Sequence, residues 1–304
     1  MHGRRHGRCR AIRDLALSGD LGSARQMTEE FISVEPAGED CFVGLAGKTD
    51  EPRTFGGLFA AQVLSAAAAT VDGRKCNSLH LQFISSGDNR HSVTLAVERL
   101  RDGRSFSARQ IRLAQNDRLL VTAFASFHGG DEGPDHQVVM PDVPDPNTLE
   151  DQRERRRRSW LTRGGTAPRY IAEELLDQRT AYTRVGLADG EEGQRAAWFR
   201  WRTQLGDDPA LHQSAIAFAS DMGLVHVGVI VENEIGSSRK LDASSLDHSI
   251  WFHRPARADE WLLHVQRSPV MTGGRGMTNG MIFDRSGQLV ATVAQEILAR
   301  YRRS

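Results

Sequence analysis

The chain switches between stretches that are apolar on nearly every side and runs in which apolar and polar residues take turns. Leu58-Phe59-Ala60-Ala61-Gln62-Val63-Leu64-Ser65-Ala66-Ala67-Ala68-Ala69 is of the first kind. Alanine and leucine are strong helix formers, so this stretch predicts a helix buried on most of its surface. Gly56-Gly57 at its start lets another backbone come close. Ser78 to Ile84, Ser92 to Leu100, Phe106 to Ala114 and Leu119 to Phe127 are of the second kind. A period of two predicts strands. Asp102-Gly103 and Gln115-Asn116-Asp117 between them are hairpin signals. Antiparallel strands following one buried helix predict a curved sheet wrapped around that helix.

The order then recurs. Pro209 to Leu224 predicts a second buried helix, after a strand at Ala196 to Arg202. Ser245 to Arg254, Trp261 to Ser268, Gly274 to Phe283 and Leu289 to Leu298 predict strands. Leu119-Leu120-Val121-Thr122-Ala123 aligns with Leu289-Val290-Ala291-Thr292-Val293, and Ser65-Ala66-Ala67-Ala68 with Phe218-Ala219-Ser220-Asp221. Ser78-Leu79-His80 is matched to Ser245-Leu246-Asp247. Repeats this long imply two copies of one fold, paired through their sheets. The expected division is an N-terminal extension at 1–40, a first unit at 41–130, a linker at 131–195 and a second unit at 196–304. The linker holds the basic run Arg153 to Arg158 and a short helix near Ile171 to Leu176. The run reads as a solvated helical face; a contact for an anionic substrate or partner is the alternative.

Composition narrows the classes. The 39 basic and 39 acidic side chains cancel, which gives no support to nucleic-acid or anionic-membrane binding. No unbroken apolar run approaches the roughly 18 residues of a membrane span. The basic opening Met1 to Arg13 lacks the apolar core of a secretory signal. It reads as a flexible tail or an over-extended start, with Met27 as an alternative beginning; a transit segment is a looser fit. Cys9, Cys41 and Cys76 are scattered and odd in number, so no disulfide framework and no zinc pattern is expected. That suggests a reducing, cytoplasmic setting.

Candidate chemistry comes from where the two copies differ. Asp221 falls opposite Ala68, and Gln295 opposite Ala125. Burying a carboxylate and an amide is costly unless they are paired, and a catalytic site is the usual reason to accept that cost. Ser245 stands at the entrance of its strand. Strand parity puts Ser245, Asp247, Ser249, Trp251 and His253 on one face and Leu246, His248, Ile250 and Phe252 on the other. Taken singly, Asp221 could end a helix, Ser245 could be a turn serine and Gln295 an edge-strand residue. His248 and His253 differ in parity, which argues against a shared metal ion. Gly103-Arg104-Ser105-Phe106-Ser107 lacks the second glycine and the strand-to-helix turn of a nucleophile elbow. Gly273-Gly274-Arg275-Gly276 has no helix pattern after it, so it is no phosphate loop.

From about Arg53 to Arg300 the chain resembles the acyl-CoA thioesterase II family of double hot-dog thioesterases. The resemblance rests on Phe55-Gly56-Gly57, Leu100-Arg101-Asp102-Gly103-Arg104-Ser105-Phe106, Ala219-Ser220-Asp221, Asp247-His248-Ser249-Ile250-Trp251-Phe252-His253-Arg254-Pro255 and Ala294-Gln295-Glu296. It implies an α+β double hot-dog: two tandem helix-wrapped antiparallel sheets joined into one extended sheet. It also implies hydrolysis of fatty acyl-CoA by a water held by Asp221, Ser245 and Gln295. No cofactor is implied, CoA being part of the substrate, and a homo-oligomer is expected. Where the family often has Arg-Pro-Gly-Asp, this chain has Ser85-Ser86-Gly87-Asp88, which puts substrate contacts of that loop in doubt. A backbone N–H near Gly56-Gly57 or at the second helix is a candidate oxyanion donor. Competing readings are a non-hydrolytic acyl-CoA or acyl-carrier binder, a hydratase or dehydratase, and a covalent acyl-enzyme on Ser245. Dehydration usually needs an Asp/His pair, and alternation gives no histidine a place beside Asp221.

Overall fold

The computed structural model describes residues 29–47, 49–51, 53–184, 193–234 and 241–302. The expected N-terminal tail up to residue 28 lies outside them. The alternating runs become strands of one antiparallel sheet. They are β1 (Glu35–Gly38), β2 (Cys41–Gly44), β3 (Lys75–Phe83), β4 (Val93–Asp102), β5 (Phe106–Gln115), β6 (Arg118–His128), β7 (Leu176–Arg184), β8 (Gly193–Trp201), β9 (Leu241–Ser245), β10 (Asp247–Phe252), β11 (Leu262–Thr272), β12 (Arg275–Asp284) and β13 (Leu289–Tyr301). Their order is β1-β2-β4-β5-β6-β3-β10-β13-β12-β11-β8-β7, with β9 continuing along β13. Outward from the centre, β3, β6, β5 and β4 mirror β10, β13, β12 and β11. The lobes meet where β3 pairs with β10, His80 opposite Ser249. This is the α+β double hot-dog that the resemblance implies.

The apolar stretches become helices laid on this sheet. Helix α1 (Gly56–Ala68) buries Leu58, Phe59, Val63 and Leu64, each contributing about 1.5–3 kcal/mol. Phe59→Ala alone would cost about 3–5 kcal/mol. The one amide on that helix, Gln62, is buried because its Nε2 donates to Phe31 O at 3.1 Å and Leu45 O at 2.9 Å. In the linker, α2 (Gln152–Thr162) carries the basic run and α3 (Ile171–Leu175) follows. Helix α4 (Pro209–Ser220) starts on an Asp208 cap and packs along α1. A Cβ at Gly57 would stand 2.2 Å from Phe218 O, so the two backbones meet only because residue 57 is glycine.

Several expectations need correction. The helix predicted over Pro209 to Leu224 stops at Asp221, where Gly223 takes φ +85°, and a further helix, α5 (Leu224–Glu234), begins. Together Pro209–Ile230 reach the length and hydropathy of a membrane span, which the unbroken-run criterion overlooked. Because 72% of that window is buried inside the protein, it is core. The strand predicted over Ser245 to Arg254 is interrupted at Leu246. Residues just before Cys41 are less peripheral than their weak pattern suggested: Ile32 is fully buried, and Glu29 accepts from Gly206 N at 2.9 Å. Cys41 is disulfide-bonded, while Cys76 is a buried free thiol. Spacing in sequence says nothing of approach in space, and the expectation that no disulfide forms is corrected at Cys41. The basic run is solvated as expected. Arg153, Arg156 and Arg158 pair with Glu174, Glu173 and Glu150, so these cations are engaged within the chain.

Candidate active site

Asp221 occupies the C-cap of α4 and is 6% exposed. A carboxylate there opposes the helix dipole and does not cap its own helix. What it meets instead is the other lobe: a Cβ at Gly56, the first residue of α1, would lie 2.9 Å from Asp221 Oδ2. The positive end of α1 therefore faces the carboxylate, and Gly56 leaves the room for it.

Ser245 ends β9, and its Oγ donates to Asp221 Oδ1 at 3.2 Å. Gln295, fully buried on β13, donates from Nε2 to Ser245 Oγ at 2.9 Å. All three expected residues are thus brought into one hydrogen-bonded run. Asp221 and Ser245 line a cavity of about 1030 Å³, whereas Gln295 stands behind Ser245. The cavity is apolar toward Phe55, Phe59, Phe83 and Val229 and polar toward Arg53, Ser85, Ser86 and Ser244. The Ser85-Ser86-Gly87 departure from the family pattern lies on that wall.

A fourth residue was missed. His248 is fully buried, with Nδ1 at 2.7 Å from Gln295 Oε1 and Nε2 at 2.8 Å from Ser220 Oγ. Simple alternation put Ser245 and His248 on opposite faces. The pairing shows why that is wrong: Ser245 is opposite Ile297, but Ser249 is opposite Ala294, so one extra residue is inserted at Leu246. The bulge flips parity and turns Ser245 toward the face of His248 and Gln295. Behind the Asp221 turn lies further buried polarity. Gln266 Nε2 donates to Met222 O, its Oε1 accepts from Arg195 Nη1 at 2.9 Å, and His264 Nδ1 lies at 3.0 Å. Burial pulls the pKa of His264 down to about 3 and that of Arg195 to about 10. Among the described residues, no cluster of histidine, cysteine or carboxylate side chains is arranged to hold a metal ion.

A sheet of two mirrored lobes whose cleft ends on a buried carboxylate and a half-buried hydroxyl has the build of a hot-dog thioester hydrolase. Comparison with known proteins specifies it. Residues 46–128 match the family model described as the acyl-CoA thioesterase N-terminal domain, and residues 141–299 the C-terminal domain. Acyl-CoA thioesterase 2 of Haemophilus influenzae is 31% identical over 252 residues, covering 82% of this chain and 88% of that one. Acyl-coenzyme A thioesterase 8 of Mus musculus is 32% identical over 303 residues, covering 94% and 92%. The crystal structure of acyl-CoA thioesterase II TesB2 from Mycobacterium marinum superposes with a TM-score of 0.75 at 36% identity, covering 90% of this chain and 98% of that one. The chain belongs to the acyl-CoA thioesterase family, and it is a thioester hydrolase.

Proposed function

We propose that the protein hydrolyses fatty acyl-CoA with a water activated by Asp221 and directed by Ser245, and that Gln295 acts by orienting Ser245. The observation that carries this reading is the run Gln295 to Ser245 to Asp221 opening onto the 1030 Å³ cavity. In the first step a water oxygen bonds to the thioester carbonyl carbon while its proton passes to Asp221. The tetrahedral oxyanion needs a donor, and the N–H groups at the start of α1, near Gly56 and Gly57, are our candidates. Collapse breaks the C–S bond, and the departing thiolate takes the proton back from Asp221. Free acid and CoA result, with no proton left over. Much of the rate gain is orientation, since the hydroxyl fixes the direction from which water attacks. The apolar wall suits an acyl chain and the polar wall the pantetheine end.

Thiol release from a panel of acyl-CoAs tests the reading. Asp221→Asn should lower kcat by about 10³-fold or more while the protein still folds. Wild-type turnover in that variant would remove Asp221 from the chemistry. One geometric fact favours a second reading: Ser245 donates directly to Asp221, as a nucleophile donates to its base. Attack by Ser245 would give a burst of CoA release in the first turnover; water attack gives none.

A further inference from the structure

The buried run does not stop at Gln295. From its far end it passes Ser220 Oγ, His248 Nε2 and Nδ1, Gln295 Oε1 and Nε2, and Ser245 Oγ, and it ends on Asp221 Oδ1. Ser220, His248 and Gln295 are fully buried, so each of these groups depends on its protein partners.

Such a run can be wired in two senses. In one, Ser220 donates to His248 Nε2, Nδ1–H donates to Gln295 Oε1, Gln295 Nε2 donates to Ser245, and Ser245 gives its hydrogen to Asp221. In the other, the Gln295 amide is turned over, and Ser245 spends its hydrogen on Gln295. Its lone pairs then face Asp221, which repels an ionised carboxylate. The first sense requires a donor opposite Gln295 Oε1, and the imidazole supplies it at 2.7 Å. Ser220 Oγ also lies 2.9 Å from Ala217 O, and its single hydrogen serves His248 in the first sense and Ala217 in the second. We infer that His248 is a positioning residue that locks the Gln295 amide, so that Ser245 donates to Asp221 and directs the attacking water. This rests on the water-activation reading above. His248 itself touches no reacting atom.

The corresponding place in the other lobe shows what an unwired site contains. β3 carries the same one-residue insertion as the β9–β10 pair: Cys76 is opposite Phe127 and Ser78 opposite Ser126, with Asn77 extra. Aligning the two bulges puts Leu79 at the place of His248. Leucine is therefore a side chain that this position in the fold accommodates.

The test is steady-state thiol release by His248→Leu and His248→Asn, with Asp221→Asn and Gln295→Ala alongside, on the acyl-CoA that wild type turns over fastest. His248→Leu should lower kcat about 10- to 100-fold with KM within about twofold, because direction is lost and binding is not. His248→Asn, whose Nδ2 sits near the place of Nδ1, should recover to within about fivefold of wild type. If the leucine variant does not fold, His248→Gln replaces it: its amide reaches toward Ser220 instead, and it should be slow where asparagine is fast. The inference is overturned if the leucine variant keeps wild-type kcat, or if asparagine is as slow as leucine or glutamine. Should Asp221→Asn and Gln295→Ala keep full activity, the underlying reading fails; should they lose it while His248→Leu does not, only this inference fails.

Discussion

The two lobes use the same strands in the same mirrored order, and both have a cavity beside the end of their helix. The cavity of the first lobe, about 800 Å³, is lined by Ala68, Ala69 and Cys76; that of the second is lined by Asp221 and Ser245. Aligned on their bulges, Cys76 stands for Ser245, Leu79 for His248 and Ala125 for Gln295. Following the ladders outward, Leu95 and Val97 stand for His264 and Gln266. At these positions the first lobe is thus a folding solution, apolar where the second lobe is polar. Burial even pushes its Cys76 thiol upward, away from the nucleophilic form. The second lobe keeps the backbone and replaces apolar side chains with polar ones held by hydrogen bonds. On the proposed reading, backbone and chemistry are separable here.

Exchanging residues between lobes sharpens that comparison. After Asp221, whose loss is expected to lower kcat by about 10³-fold or more, the largest effect should come from Gln295→Ala, which gives the second lobe what the first lobe has. We expect kcat to fall about 10²-fold, because Ser245 loses its orienting donor, and a kcat within threefold of wild type would detach Gln295 from catalysis. The reverse exchange, Ala125→Gln, puts an amide beside Leu79, where it has no imidazole partner. It should cost about 1–3 kcal/mol in urea unfolding and leave turnover unchanged. A change in turnover would make the first lobe a participant.

A smaller effect depends on pH. The pKa of His264 is pulled by burial from 6.5 to about 3, so the folded state refuses a proton that the unfolded chain accepts. Its contribution to stability is whole above about pH 6.5 and is lost as pH falls from there toward 3. Between pH 7.5 and 5.5 wild type should lose about 1 kcal/mol more than His264→Leu, in which the first-lobe residue is supplied. Parallel pH curves for the two proteins would show that His264 takes up its proton without penalty. The smallest effect belongs outside both lobes. Arg158→Ala breaks the exposed pair with Glu150 and should change stability by less than about 0.5 kcal/mol, with no effect on turnover.

Much of this could be read from the chain alone. Periods of two placed most of the strands, and the run of alanine and leucine placed α1. Comparing the copies singled out Asp221 and Gln295, because polar-for-alanine exchanges at buried positions stand out without coordinates. What failed depended on a single inserted residue. Alternation cannot register a bulge, so Ser245 was matched two positions out, to Ser78 instead of Cys76, and His248 was assigned to the wrong face. A bulge in each lobe at the same place is a three-dimensional fact carried by pairing, which no local pattern records. β7 was lost in the linker because its polar residues do not alternate, and α5 because its run of valine and isoleucine has weak helix propensity. The exchange of Leu95 and Val97 for His264 and Gln266 was legible by the same comparison that found Gln295, once the register was right.

The most direct measurement turns the second lobe into its sister. A protein carrying Asp221→Ala, Ser245→Cys, His248→Leu and Gln295→Ala would hold in the second lobe the residues found in the first. Thiol release and thermal unfolding would be recorded on the same sample. The account predicts a kcat at least about 10³-fold below wild type and a melting temperature at or above that of wild type, since a costly polar network has been replaced by apolar packing. Thioester hydrolysis within about tenfold of the wild-type rate by a folded sample would contradict it, because the chemistry would then reside elsewhere in the molecule.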